Sequence, residues 1–211
     1  VSFILLRTSL WFNPITAEIT HSQWLIAIWE KVQDTSFKTF IKCLSYSTML
    51  SGDTRYDGTM WTMTIELYGS MLVFALLALT HNTKAKWIIF LLISIIFHNN
   101  IYYAAFIIGI CLNYLDPTSI KYKSILAPLL FILGLILGGY PTWPNSHNQE
   151  TLYAFFPTHI IHSAPVIHIL GATLILIALL LSKPLQTFFS RKVFTLRGDI
   201  SFSVYLLHPL V

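Results

Sequence analysis

The sequence predicts an all-α protein: a polytopic transmembrane helix bundle with amphipathic interfacial helices in its N-terminal third. Three observations predict it. Of the 211 residues, 55% are hydrophobic and 10% charged, against about 25% charged in an ordinary soluble domain. So few charges cannot cover a globular surface. The apolar residues come in runs, the pattern that a bilayer selects, and mean hydropathy is +0.67. The basic residues between the runs alternate loop by loop, as orientation in a membrane requires. The net charge of +4 is explained by that orientation, and no nucleic-acid partner is expected.

Residues 1–211 read as one membrane domain. The start on Val1 and the end inside an apolar run suggest a piece of a longer chain. Residues 1–60 hold the end of a span and then an extracytoplasmic, interfacial segment. There, ITAEITHSQWLIAIWEKV spaces its apolar residues as one face of a helix lying at the membrane surface, and TSFKTFIKCLSYSTML suits a second such helix. Asn13-Pro14 and SGDTRYDG mark turns. Cys43 and Cys111 lack the spacing of metal ligands or of a disulfide framework.

Residues 61–211 hold five spans and the start of a sixth. The apolar segments run from Trp61 to Thr80, Ala85 to Phe97, Ile101 to Leu115, Ile125 to Tyr140 and Val166 to Leu181. Ile200 to Val211 begins the last. Several are shorter than the roughly 20 residues of a straight span, which suits tilted helices or a thinned bilayer. Lys84 and Lys86 follow the first span, Lys121 and Lys123 the third, and Lys183, Arg191, Lys192 and Arg197 the fifth. The loops after the second and fourth spans have no Lys or Arg. Positive-inside bias then puts the basic loops 81–86, 116–124 and 182–198 in the cytoplasm.

Four places invite a chemical reading. His147, His159 and His162 lie in an aromatic loop, but no carboxylate partner stands at a fixed offset and prolines interrupt, so no metal is expected. Glu66 lies about five residues into the first span, where a carboxylate costs up to about 2–3 kcal/mol and usually faces the bundle or a watery cavity. An interfacial Glu66 paired with Arg55 is the plainer alternative. Trp61 suits a surface anchor. His208, preceded by Ser201, Ser203 and Tyr205, gives the last span a polar stripe fit for cross-helix hydrogen bonds or for proton transfer. Asp199 reads as that helix's N-cap, after a turn at Gly198.

These residues resemble a known family. WTMTIELYGSMLVF is similar to the W-[ST]-x-x-x-E-x-x-G-S segment of the acyltransferase 3 family, closest to its fungal-type branch. LRGDISFSVYLLHPLV resembles that family's terminal signature at Leu196, Gly198, Ile200, Ser201, Phe202, Tyr205, Leu206 and His208. AAFIIGICLNYL resembles a middle span. Two departures stand out: Pro209 follows the histidine directly, and Tyr68 stands where fungal-type members often have Arg. The resemblance implies a membrane-bound O-acyltransferase, transferring groups other than amino-acyl groups. It would move an acetyl or short acyl group from acyl-CoA, a co-substrate and not a resident cofactor, to a hydroxyl of a carbohydrate, lipid or natural product. The family's catalytic histidine and donor-binding arginines lie on spans that precede these segments. Within this sequence the resemblance leaves Glu66 and His208 in supporting catalytic roles, and Trp61, Ser201 and Tyr205 at the substrate. The partners expected are the lipid bilayer, the acyl-CoA donor and the hydroxyl-bearing acceptor. The rival reading is a non-catalytic polytopic transporter or sensor, or an inactive fragment of the enzyme.

Overall fold

A computed structural model of the chain describes residues 2–8, 13–21, 36–97, 100–141, 153 and 164–207. They are mostly helical, with no strand among the described residues, so the protein is all-α. The helices are α1 (Ser2–Arg7), α2 (Asn13–Thr20), α3 (Phe37–Lys42), α4 (Thr48–Ser51), α5 (Trp61–Thr80), α6 (Lys86–Ile96), α7 (Ile101–Asn113), α8 (Lys123–Gly138), α9 (Ala164–Leu181), α10 (Lys183–Phe189) and α11 (Lys192–Leu207). A π-turn, Cys43–Ser47, joins α3 to α4, and a 3-10 turn, Gly58–Met60, leads into α5. Among the described residues, two stretches are long and apolar enough to cross a membrane, Gly58–Thr80 and Ala164–Leu181. Helices α6, α7 and α8 are apolar but shorter.

The chain divides into two compact units. One comprises residues 1–72 and 195–211, the other 73–194. In the first, Phe3 of α1 stacks on Phe40 of α3 at 4.2 Å, and Tyr56 meets both rings edge-on. The α3–α4 segment turns polar groups inward. Cys43 and Ser47 are buried, while Phe37, Leu44 and Leu50 are exposed. It ends at Gly52, whose φ of +65° is the left-handed cap that glycine favours.

The second unit is built on the antiparallel pair α8 and α9. Gly134 and Gly138 of α8 face Gly171 of α9. A Cβ on Gly171 would lie 2.5 Å from the Gly138 nitrogen, and one on Gly134 would lie 2.8 Å from the Gly171 carbonyl oxygen. At Gly134 and Gly171 only glycine allows the backbones so close, as small residues do in packed helix pairs. Beyond the crossing, Tyr140, Ala164 and Ile167 form a buried cluster with Leu137 and Tyr153. His168 Nε2 lies 2.6 Å from the Tyr140 carbonyl oxygen. A carbonyl only accepts, so that nitrogen carries the proton. The interior mixes small residues, Ala127, Ala164 and Ala178, with large ones, Leu76, Phe90, Ile107 and Leu181. Phe74, Leu79, Ile88 and Ile96 stand more than 60% exposed.

Four expectations change. The last helix starts at Lys192, not near Ile200, and passes through Gly198 and Asp199. Asp199 is therefore no N-cap, and Gly198 makes no turn. A glycine inside a helix costs about 1 kcal/mol, which the residues on either side outweigh. Segment 182–198 is not a loop. Ser182 caps α10 by accepting from Leu185 N, and α11 follows after a bend at Ser190-Arg191. Asn13-Pro14 opens α2 instead of turning, since a proline in the first helical turn forfeits no hydrogen bond. Arg55 pairs with Asp53 at 3.2 Å, and no ion pair joins it to Glu66. Of the first interfacial helix, only Ile15–Thr20 falls inside α2, where Ile15 and Ile19 are exposed on one face. Residues 22–35 lie outside the described residues.

Candidate functional site

The first unit carries a polar framework around the start of α5. Asp57 is buried and caps the 3-10 turn. Its carboxylate accepts from Thr59 N at 2.9 Å and from Thr59 Oγ1 at 2.6 Å. The Thr59 carbonyl in turn accepts from Thr62 Oγ1 at 3.1 Å and from Tyr205 Oη at 3.3 Å. Tyr205 thus ties α11 to the N-terminal end of α5. Two further bonds tie α5 to α4: Thr64 Oγ1 donates to the Thr48 carbonyl at 2.8 Å, and Tyr68 Oη to the Leu50 carbonyl at 3.1 Å. The phenol at position 68 is therefore a structural strut here.

Beside this framework, Asp53 gathers donors. Its Oδ2 accepts from Cys43 Sγ at 3.3 Å, Ser47 Oγ at 3.0 Å and an Arg55 guanidinium nitrogen at 3.2 Å. Its Oδ1 accepts from Arg55 N at 3.2 Å. The π-turn presents Cys43 and Ser47 together to one oxygen. Burial alone would raise the Asp53 carboxyl. The bonds from Cys43, Arg55 N and Ser47, with the Arg55 charge, outweigh it and hold the carboxyl below its ordinary value. Burial, and then the bond to Asp53, push the Cys43 thiol up to about 11.

Glu66 lies on the same α5 turns. It lines a pocket of about 230 Å³ with Met49 of α4, with Met63, Leu67 and Ser70 of α5, and with Phe202 of α11. Glu66 is exposed there, with no hydrogen bond or ion pair to any described residue. The walls are thioether, aliphatic and aromatic, and the polar groups are one carboxylate and one serine hydroxyl. Such a pocket can take an apolar or sugar-like face while the carboxylate accepts a hydrogen bond from a hydroxyl.

Of the residues expected at the site, Glu66 lines this pocket, and Tyr205 lies on the helix that supplies Phe202. Trp61 opens α5 and is 40% exposed but does not line the pocket. Ser201 is exposed and donates back to the Gly198 carbonyl of its own helix at 2.7 Å. Neither touches Glu66's pocket. His208, like His147, His159 and His162, lies outside the described residues. Met49, Met63 and Phe202 went unnoticed as pocket walls, because apolar residues on apolar helices carry no separate signal. No protein-family model matches the chain, and no curated protein or solved structure gives a significant match to it.

Proposed function

We propose that this chain is part of a multi-pass membrane O-acyltransferase of the acyltransferase 3 type. It acts from acyl-CoA on a hydroxyl of a carbohydrate, lipid or natural product. One observation carries the reading. The two stretches that bear the resemblance, WTMTIELYGSMLVF and ISFSVYLLH, meet at one place: Glu66 of the first and Phe202 of the second line the same pocket, and Tyr205 bonds beside it to Thr59. A pocket shared by Glu66 and Phe202, so distant in sequence, is what a common site requires.

In this reading Glu66 accepts the hydrogen bond of the acceptor hydroxyl and aims its oxygen at the thioester carbonyl. Oxygen–carbon bond formation is then followed by departure of the CoA thiolate, which takes up the proton. The base that removes that proton lies on another span, so Glu66 positions and does not replace it. Tyr205 holds α11 against the start of α5 and keeps Phe202 in place.

The bilayer is the solvent in this reading. It accounts for the many long aliphatic residues left exposed on α5, α6 and α8, and for Ser47, Asp57 and Thr59 being kept buried. The basic ends of α5, α7 and α9 face the cytoplasm by positive-inside bias, where acyl-CoA is available. The test is transfer of labelled acetyl from acetyl-CoA, by the full-length protein in membranes, into alkali-labile ester. Absence of acyl-CoA-dependent ester from folded full-length protein contradicts the proposal.

A further inference from the structure

Two clefts open on either side of α7. One, of about 540 Å³, lies against α5 and is lined by Val73, Leu77, Phe106 and Ile110. The other, of about 490 Å³, lies against α9 and is lined by Leu112, Leu176, Leu179 and Leu180. Gly109 and Asn113 line both. A Cβ on Gly109 would meet nothing within 4 Å, so this glycine does not serve helix packing. It leaves room on the path between the clefts.

The linings place the C-terminal ends of α5, α7 and α9 together: Leu77 stands with Asn113, and Asn113 with Leu179. At this end the clefts become polar, with Asn113 and Gln186. It is also strongly basic. Segments 81–86, 114–124 and 182–194 carry seven Lys or Arg and one acid, Asp116. Lys86 Nζ is held 3.8 Å from the ring centre of Tyr114, next to Asn113. Lys183 lies one turn before Gln186, whose amide donates to the Leu179 carbonyl at 2.7 Å. Three helix C-termini present partial negative charge here, so any anion must be held by these lysines.

We propose that the paired clefts hold the two acyl chains of one anionic phospholipid from the bilayer, straddling α7 at Gly109, with its phosphate beside Lys86 and Lys183. Two apolar clefts of near-equal volume, joined at one end and basic at that end, match a two-chain, anionic-headed molecule. A neutral or a single-chain one matches less well. The inference rests on the bilayer part of the reading above and not on acyl transfer, so a chain with no transferase activity leaves it standing.

The test is native mass spectrometry of the full chain released from vesicles of phosphatidylcholine and phosphatidylglycerol in equal parts. One phosphatidylglycerol should stay bound in preference to phosphatidylcholine. Gly109→Leu, filling open space, should cut that adduct about tenfold, what displacing about two methylenes from an apolar cleft costs. Gly109→Ala should fold and keep the lipid. Lys86→Gln with Lys183→Gln should abolish the preference for phosphatidylglycerol while a two-chain lipid remains. In the unmutated chain, phosphatidylglycerol with photoactivatable chains should crosslink to peptides containing Gly109 or Leu176. The proposal is overturned by wild-type protein that keeps no lipid or keeps both lipids equally. Displacement of phosphatidylglycerol by an equal amount of lysolipid or palmitoyl-CoA, crosslinks confined to other helices, or a folded Gly109→Leu chain with its adduct intact would each overturn it too.

Discussion

The phenol of Tyr205 donates to the carbonyl of Thr59 at 3.3 Å. That carbonyl belongs to a residue whose amide and hydroxyl are both held by the buried carboxylate of Asp57. A chain of hydrogen bonds thus runs from the last helix to the cap that starts the first long one.

The links of that chain differ in strength. Asp57→Ala strips a buried cap of its acceptor and should cost about 1–3 kcal/mol. Tyr205→Phe removes one part-buried bond and should cost about 0.5–1.5 kcal/mol. Thermal melting of the detergent-solubilised protein should rank them in that order. A Tyr205→Phe melting point equal to or below that of Asp57→Ala would break the account of the cap.

The Cys43–Asp53 pair makes a pH prediction. A thiol raised to about 11 exposes little thiolate near neutrality. Iodoacetamide should therefore label Cys43 slowly at pH 8 and faster as pH climbs toward 11. Asp53→Ala should speed labelling at pH 8. The signs for stability follow. Asp53 is depressed in the fold, so its contribution is present above the ordinary carboxyl value and is lost as pH falls through the lowered one. Cys43 is raised, so its contribution holds below the ordinary thiol value and is lost as pH rises through about 11. Rapid labelling at pH 8 in the folded protein contradicts the raised thiol.

The helix crossing separates two glycines of one motif. Gly171→Ala drives a methyl onto the backbone of Gly138 and Gly134, and should cost about 1–3 kcal/mol or more. Gly138→Ala meets open space and should be neutral, or gain up to about 1 kcal/mol from helix propensity. Equal melting points for the two variants would show that α8 and α9 do not cross here.

Sidedness is checked with cysteines placed at Asn82, Ser119 and Ser190 in a Cys43→Ser, Cys111→Ser background. An impermeant maleimide should reach all three from the same face of sealed vesicles, because α5, α7 and α9 end together. Labelling of Ser119→Cys from the opposite face to the other two contradicts that arrangement.

Much of the helical pattern was legible because runs of apolar residues leave few alternatives. Helix α5 occupies Trp61–Thr80, the bounds read from the sequence, since Asp57-Gly58 and His81-Asn82 punctuate it on both sides. The start of α11 was not legible. Lys192 to Asp199 is too polar for a span, so hydropathy began the helix at Ile200, whereas the backbone continues wherever no proline stops it. Gly134 stands in plain view, yet only its partner Gly171, from a distant segment, shows why it must be glycine. For the site, the cost of a carboxylate in a span singled out Glu66, whereas the structure leaves it exposed at the mouth of a small pocket. Ser201 had no such signal. An exposed serine on a helix bonds back to its own turn as readily as across to a neighbour. The Cys43–Asp53 pair depends on the left-handed turn at Gly52, which no spacing rule announces.

The central claim is that Glu66 and its pocket serve acyl transfer, and kinetics of Glu66→Gln in the full-length protein test it most directly. Label from acetyl-CoA is followed into esters of a membrane glycan and lipid extract, at matched expression. The account predicts kcat/KM lower by about tenfold, the difference between a charge-assisted and a neutral hydrogen bond to the acceptor hydroxyl, with an unchanged melting point. A Glu66→Gln protein that transfers acetyl at the full rate contradicts it.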